Sequence, residues 1–318
     1  MQENEQIDQH DFLPTTPVLP EPRVRLVLLA QISLMVFCSG IGVMLYYMIC
    51  TIAGWDTSAA LSADSPLMVR WQVRLQLGLT HLFGFLVAGA VTVRIFYQGI
   101  TQTQTGWPDY LQTRRWPQAT ELLLGILLMA VSLPLVLYTL TINQQFPLPE
   151  IFKSAGEQAD EALKGLLHMD SWAEFVVNVV LVALLPALGE ELVFRGVVQQ
   201  QLMRRIANPW VAILVSAAIF SAAHFQFDGF LPRMMLGFLL GWLYWRTKNF
   251  WVPVAGHFFN NGLQVAGQYL YGKELTSIDL EKDVQVPWEF AAISVFLTWV
   301  VMRLIGQLYK KQPGFLDS

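Results

Sequence analysis

Charge is what this sequence has least of. Asp, Glu, Lys and Arg make up 14% of its 318 residues, against about 25% in ordinary soluble domains. A chain so poor in charge cannot cover a soluble surface, whereas lipid-facing helices require that deficit. Cysteine is nearly missing. Cys38 and Cys50 both fall in the first apolar run, which excludes a framework of bridges and leaves them as small apolar filler. There is no basic excess, the net charge being −4, so nothing points to a nucleic-acid partner. The period-two alternation of a membrane barrel is absent. So are internal repeats, glycine-rich phosphate loops, low-complexity tracts and the His-Glu-x-x-His zinc helix. No Ser or Cys nucleophile stands out beside a base.

Apolar types, at 54%, fill the space that charge leaves. They form eight runs, each near the roughly 20 residues a bilayer demands. The runs are Val24–Ala53, Trp71–Tyr97, Ala119–Ile142, Ala173–Val198, Trp210–Phe227, Met234–Trp245, Val252–Tyr271 and Phe290–Leu308, the sixth being short. The expected fold is all-α: a polytopic transmembrane bundle of about eight spans. Residues 1–22 are polar, acidic and proline-containing. They read as a disordered tail and not as a signal peptide. The helical domain then covers 23–311, and 312–318 forms a second tail. With a cytoplasmic N-terminus, twelve Lys and Arg flank the inner ends of the spans and seven the outer ends. Both termini are therefore expected in the cytoplasm. The loop Glu150–Asp170 is acidic but carries Ile151, Phe152, Ala155, Ala162, Leu163, Leu166 and Leu167. That pattern suits an interfacial amphipathic helix, or equally a loop capping a cavity. The acidic stretch Glu274–Asp283 is placed on the same outer side.

The fourth run contains Gly189-Glu190-Glu191-Leu192-Val193-Phe194-Arg195-Gly196. Each charge costs roughly 2.5–3.5 kcal/mol at mid-bilayer and must find a partner or a wet cavity. Glu191 and Arg195, four apart, share a helix face and can pair. Glu190 points about 100° away and is left without a local partner. Such a carboxylate is a functional candidate, with a purely structural ion-pair cluster as the alternative. The fifth run carries Phe220-Ser221-Ala222-Ala223-His224. Glu190 and His224 each lie 17 residues from Ala207, at the Ala-Asn-Pro turn, and equal counts in an antiparallel hairpin give equal depth. Phe220, one turn from His224, can pack beneath its ring. The seventh run opens with Gly256-His257-Phe258-Phe259-Asn260-Asn261. His257 and Asn261 face the same way and together can offer two donors to one oxygen. Asn260 is left to cap or bond elsewhere. His81, Glu121, Glu174 and Asn178 read as interior or interfacial polar groups without a partner motif.

Glu-Glu-x-x-x-Arg, Phe-x-x-x-His and His-x-x-x-Asn, in this order and each in an apolar run, resemble the CPBP family. That family comprises the CAAX prenyl-protein endoproteases and bacterial proteins linked to bacteriocin processing and immunity. The resemblance covers about Ala173 to Tyr271. It implies an intramembrane endopeptidase of about eight helices, with its site on spans four, five and seven. By that resemblance Glu190 and His224 activate the attacking water, His257 and Asn261 hold the oxyanion, and Glu191 and Arg195 brace the site, with Phe220 in support. The implied partner is a peptide or lipidated protein substrate in membrane lipid, and the expected location is a bacterial cytoplasmic membrane. No cofactor is expected. Zinc stays open as an alternative, with Glu190, His224 and His257 as its ligand set. A non-catalytic immunity or scaffold protein of the same fold is the competing reading.

Overall fold

The computed structural model describes residues 22–57, 65–97, 106–275 and 286–310. The tails expected over 1–22, except Pro22, and over 312–318 lie outside the described residues, as does most of the acidic stretch Glu274–Asp283. Among the described residues there are ten helices and no strand. They are α1 (Val24–Ala53), α2 (Leu67–Tyr97), α3 (Trp107–Tyr110), α4 (Ala119–Asn143), α5 (Glu150–Leu167), α6 (Trp172–Met203), α7 (Pro209–Ala222), α8 (Phe230–Thr247), α9 (Trp251–Leu275) and α10 (Trp288–Lys310).

Five of these are long and apolar enough to cross a membrane: α1, α2, α4, α6, and α10 over Trp288–Tyr309. The sequence pattern gave eight spans, and the three others differ for local reasons. Helix α7 has 14 residues and stops at Ala222, short of Phe227. The chain turns there and reaches a positive φ of 56° at Phe225. Helix α8 runs 18 residues, longer than Met234–Trp245, because Phe230 to Arg233 add a turn. Helix α9 carries His257, Asn260, Asn261, Gln264 and Gln268 along its length, which dilutes its apolar character. The loop expected over Glu150–Asp170 does form a helix, α5, with Phe152 packed on Phe227 at 4.7 Å between ring centroids.

Helix α4 packs against α8, α9 and α10, helix α1 runs along α2, and α6 is flanked by α7 and α9. The apolar core divides accordingly. Leu128, Met129, Leu239, Leu240, Leu243 and Val252 fill the space around α4. Val193, Phe194, Val198 and Phe220 seal α6 against α7. The side chains left outside are also apolar: Val36 and Phe37 on α1, Phe290 and Phe296 on α10. Such faces suit lipid.

Two helices are not regular. Helix α2 widens into a π-turn over Leu82–Val87, and α6 does so over Val179–Leu184 and Glu191–Gln199. Widened turns of this kind leave the usual bonding pattern and recur at functional sites. In α6 one cause is visible. Pro186 has no N–H to give the carbonyl of Val182, four residues back.

The polar groups read above as lacking a partner motif have partners, most of them far away in sequence. Arg74, fully buried on α2, donates from Nε to Asn178 Oδ1 at 2.9 Å and from Nη1 to Glu174 Oε1 at 2.7 Å. Its Nη2 donates to the carbonyls of Leu166 and His168. One guanidinium thus ties α2 to the end of α5 and the start of α6. Arg70 bonds Asp170 at 2.6 Å, and that bond holds the exposed Asp170 carboxyl below its ordinary range. Glu121 pairs with Arg115 and accepts from Tyr309 Oη at 2.5 Å.

The contact of α1 with α2 depends on Gly42. A Cβ there would lie 2.7 Å from the carbonyl oxygen of Leu79 and 3.2 Å from Cα of Thr80, both backbone atoms. Small residues are what let membrane helices approach this closely. Gly42→Val is expected to force the two helices apart and destabilise the protein by about 1–3 kcal/mol. A thermal melt in detergent should show a lowered midpoint, and an unchanged midpoint would refute the close contact.

Candidate active site

The site is built where α2, α6, α7 and α9 meet. Helix α6 brings the carboxylates. Glu191 is fully buried and Arg195 nearly so, and Arg195 Nη1 lies 2.9 Å from Glu191 Oε1, the ion pair expected from the i,i+4 spacing. Arg195 Nη2 also donates to the carbonyl of Gly237 at 3.1 Å. Its guanidinium carbon sits 4.7 Å from the Phe220 ring centroid, a cation–π distance. Phe220 is therefore a hub. Its ring meets Phe194 at 5.1 Å, His224 at 5.0 Å and His257 at 6.2 Å, each edge-on.

Helix α9 delivers His257 to the same centre. Its Nδ1 is 2.7 Å from Glu191 Oε1 and its Nε2 is 3.8 Å from Glu190 Oε2. A carboxylate ordinarily accepts and does not donate, so Glu191 orients the ring with Nε2 turned toward Glu190. The second distance is too long for a direct hydrogen bond and is of the kind a water bridges.

His224 lies just past the end of α7, in the turn that follows Ala222, and not within the helix as its apolar surroundings implied. Its Nδ1 is 2.9 Å from the carbonyl of Phe220. A carbonyl can only accept, so Nδ1 carries the hydrogen and Nε2 keeps its lone pair. One turn nearer the connector the two helices meet. Phe194 and Phe220, each 13 residues from Ala207, touch. Ser216 Oγ donates to the carbonyl of Phe194 at 3.3 Å.

The imidazole that hydrogen-bonds Glu190 is another one. His81 on α2 brings Nε2 to 3.2 Å from Glu190 Oε1. Glu190, 5% exposed, is thus not without a partner. The sequence reading missed this pair because 109 residues separate its members and no motif spacing joins them. The usable signal was that any ionisable group inside an apolar span needs a partner.

Asn261 is half-buried and donates from Nδ2 to the carbonyl of Val182 at 3.1 Å, the group that Pro186 cannot serve. Asn260 donates to Asn261 Oδ1 at 3.2 Å. The pair so fixes the Asn261 amide, whose NH2 has a second hydrogen to give.

The zinc alternative does not fit this arrangement. Among the described residues no three His, Cys, Asp or Glu side chains converge as a ligand set.

Beside the site, a cavity of about 400 Å³ opens between α2 and α6. Leu75, Gly78, Leu79 and Leu82 line one wall, Val177, Leu181 and Leu185 the other, with Trp71 and Arg74 at the end.

Comparison with known proteins finds a likeness in this region. Residues 172–263 match the family model described as type II CAAX prenyl endopeptidase, Rce1-like. It is 34% identical over 79 residues to "Putative membrane peptidase YdiL" of Bacillus subtilis (strain 168), covering 25% of this chain and 32% of that protein. It is also 34% identical over 87 residues to "Uncharacterized protein YpbD" of the same organism, covering 26% of this chain and 41% of that one. The matched stretch thus spans about a third and two fifths of these curated relatives. No solved structure matches this chain.

Proposed function

We propose that this chain, whose residues 172–263 match the Rce1-like family model, is an endopeptidase that hydrolyses a peptide bond of a hydrophobic or lipid-modified substrate at the membrane. The observation that carries the reading is Glu190. It is a buried carboxylate with one oxygen on His81 and the other turned toward His257. A structural ion pair needs one acid and one base. Glu191 and Arg195 already supply those, so Glu190 is surplus to bracing.

In this reading a water lies against Glu190 Oε2. Its oxygen attacks the scissile carbonyl carbon while its proton passes to Glu190, with the unprotonated Nε2 of His224 able to share it. The carbonyl oxygen becomes an oxyanion, held by the second amide hydrogen of Asn261 and, when Nε2 as well as Nδ1 carries a hydrogen, by His257, in a dry site where such bonds count most. The C–N bond then breaks and the proton is returned to the leaving amine. Glu191, with Arg195, keeps the His257 ring in place. The apolar cavity between α2 and α6 accommodates the hydrophobic part of the substrate. The chain is multi-pass, with α7, α8 and α9 also within the bilayer thickness and both termini cytoplasmic. A reporter fused to the C-terminus should be active only in the cytoplasm.

The test is a comparison of protein termini in membranes from cells carrying the wild type and Glu190→Ala. A precursor should accumulate, and its matching product should disappear, in the variant. Identical termini in both membranes would remove the protease reading and favour a scaffold of the same fold.

A further inference from the structure

We propose that His81 is a positioning residue for Glu190, holding one carboxylate oxygen so that the other faces the reacting water. This rests on the reading of Glu190 as the group that takes the water's proton. His81 lies on α2, outside the matched domain, and nothing in that domain assigns it a part.

Three observations bring it there. A Cβ on Gly189 would fall 2.9 Å from Cβ of Phe85, so only the missing side chain lets α2 come this close to α6. Phe85, one turn on from His81, stacks on its ring at 4.8 Å with 18° between planes, which fixes the ring's orientation. Two turns earlier Arg74 anchors the same helix to Glu174 and Asn178. The bond that results is Nε2 to Glu190 Oε1 at 3.2 Å, and because a carboxylate accepts, His81 donates. Glu190 Oε2 is then the oxygen left toward His257. Without that donor the carboxylate is free to rotate, and both oxygens compete for the remaining partners.

The test uses the full-length protein in detergent micelles and a quenched fluorogenic peptide spanning the cleavage site found by the comparison of termini. Rates are expressed per folded, monodisperse molecule. His81→Leu removes the donor and is expected to lower kcat about 100-fold, the scale of a misplaced catalytic group, with KM unchanged. His81→Gln, whose amide N–H can reach Oε1, should recover most of the loss. His81→Met serves in place of leucine if that protein does not fold. Glu190→Gln is measured alongside. Wild-type kcat in the donorless variant with Glu190→Gln inactive would overturn the role of His81 and leave the site standing. Failure of glutamine to rescue, or a loss confined to folded yield, would overturn it as well. Wild-type turnover in Glu190→Gln would overturn both readings together.

Discussion

Glu190→Gln should lower kcat by about 100- to 10,000-fold, the range for loss of a general base, while the protein folds and inserts as before. Glutamine has the shape of glutamate. Its amide oxygen can still accept from His81 Nε2, so the 3.2 Å contact has a replacement. What it cannot do is take a proton. Glu191 and Arg195, the neighbouring buried ion pair, are untouched by the change. The effect should therefore fall on kcat with little change in KM, as expected for an interaction made only in the transition state. Retained turnover would mean that the carboxylate is structural, and the site would lose its base.

Arg195→Met has the opposite signature. Arg195 and Glu191 are both buried and both charged. Removing one partner leaves the other buried and uncompensated, at a cost of about 3–5 kcal/mol. The loss reaches further than the pair. Arg195 also serves the carbonyl of Gly237 and lies over Phe220, whose ring touches both His224 and His257. Folded yield should drop sharply. The double variant Glu191→Leu with Arg195→Met should regain much of the stability, because no lone charge remains. It should not regain activity, since His257 would have lost the carboxylate that holds its Nδ1. Comparing thermal midpoints of the two variants separates these effects. Equal instability in single and double variants would show that packing, and not the uncompensated charge, sets the cost.

Much of this was legible before any coordinates. The bounds of α1 match the first apolar run residue for residue, because past Arg25 no charge interrupts it before Ala53. The Glu191–Arg195 pair followed from helical spacing. Phe220 does lie beneath His224, since one turn separates them. Long-range pairing was not legible. His81 meets Glu190, and Arg74 meets Glu174 and Asn178, through the packing of α2 on α6. Helices this far apart in sequence leave no shared period to read. The end of α7 was misjudged for a related reason. Apolar residues continue through Phe225 and Phe227, but the backbone turns at His224. Hydrophobicity records burial and lipid contact, not where a helix stops. Asn261 shows a third limit. Its spacing from His257 was clear, but its bond to Val182 arises from a proline on another helix.

The most direct measurement is cleavage by the purified protein in vesicles made up in heavy-oxygen water. Mass spectrometry of the products should find one heavy oxygen at each new C-terminal carboxylate with the wild type, and no new termini with His224→Ala. The same labelled termini from both proteins, or none from either, would contradict a water activated between the acid on α6 and the imidazole beyond α7.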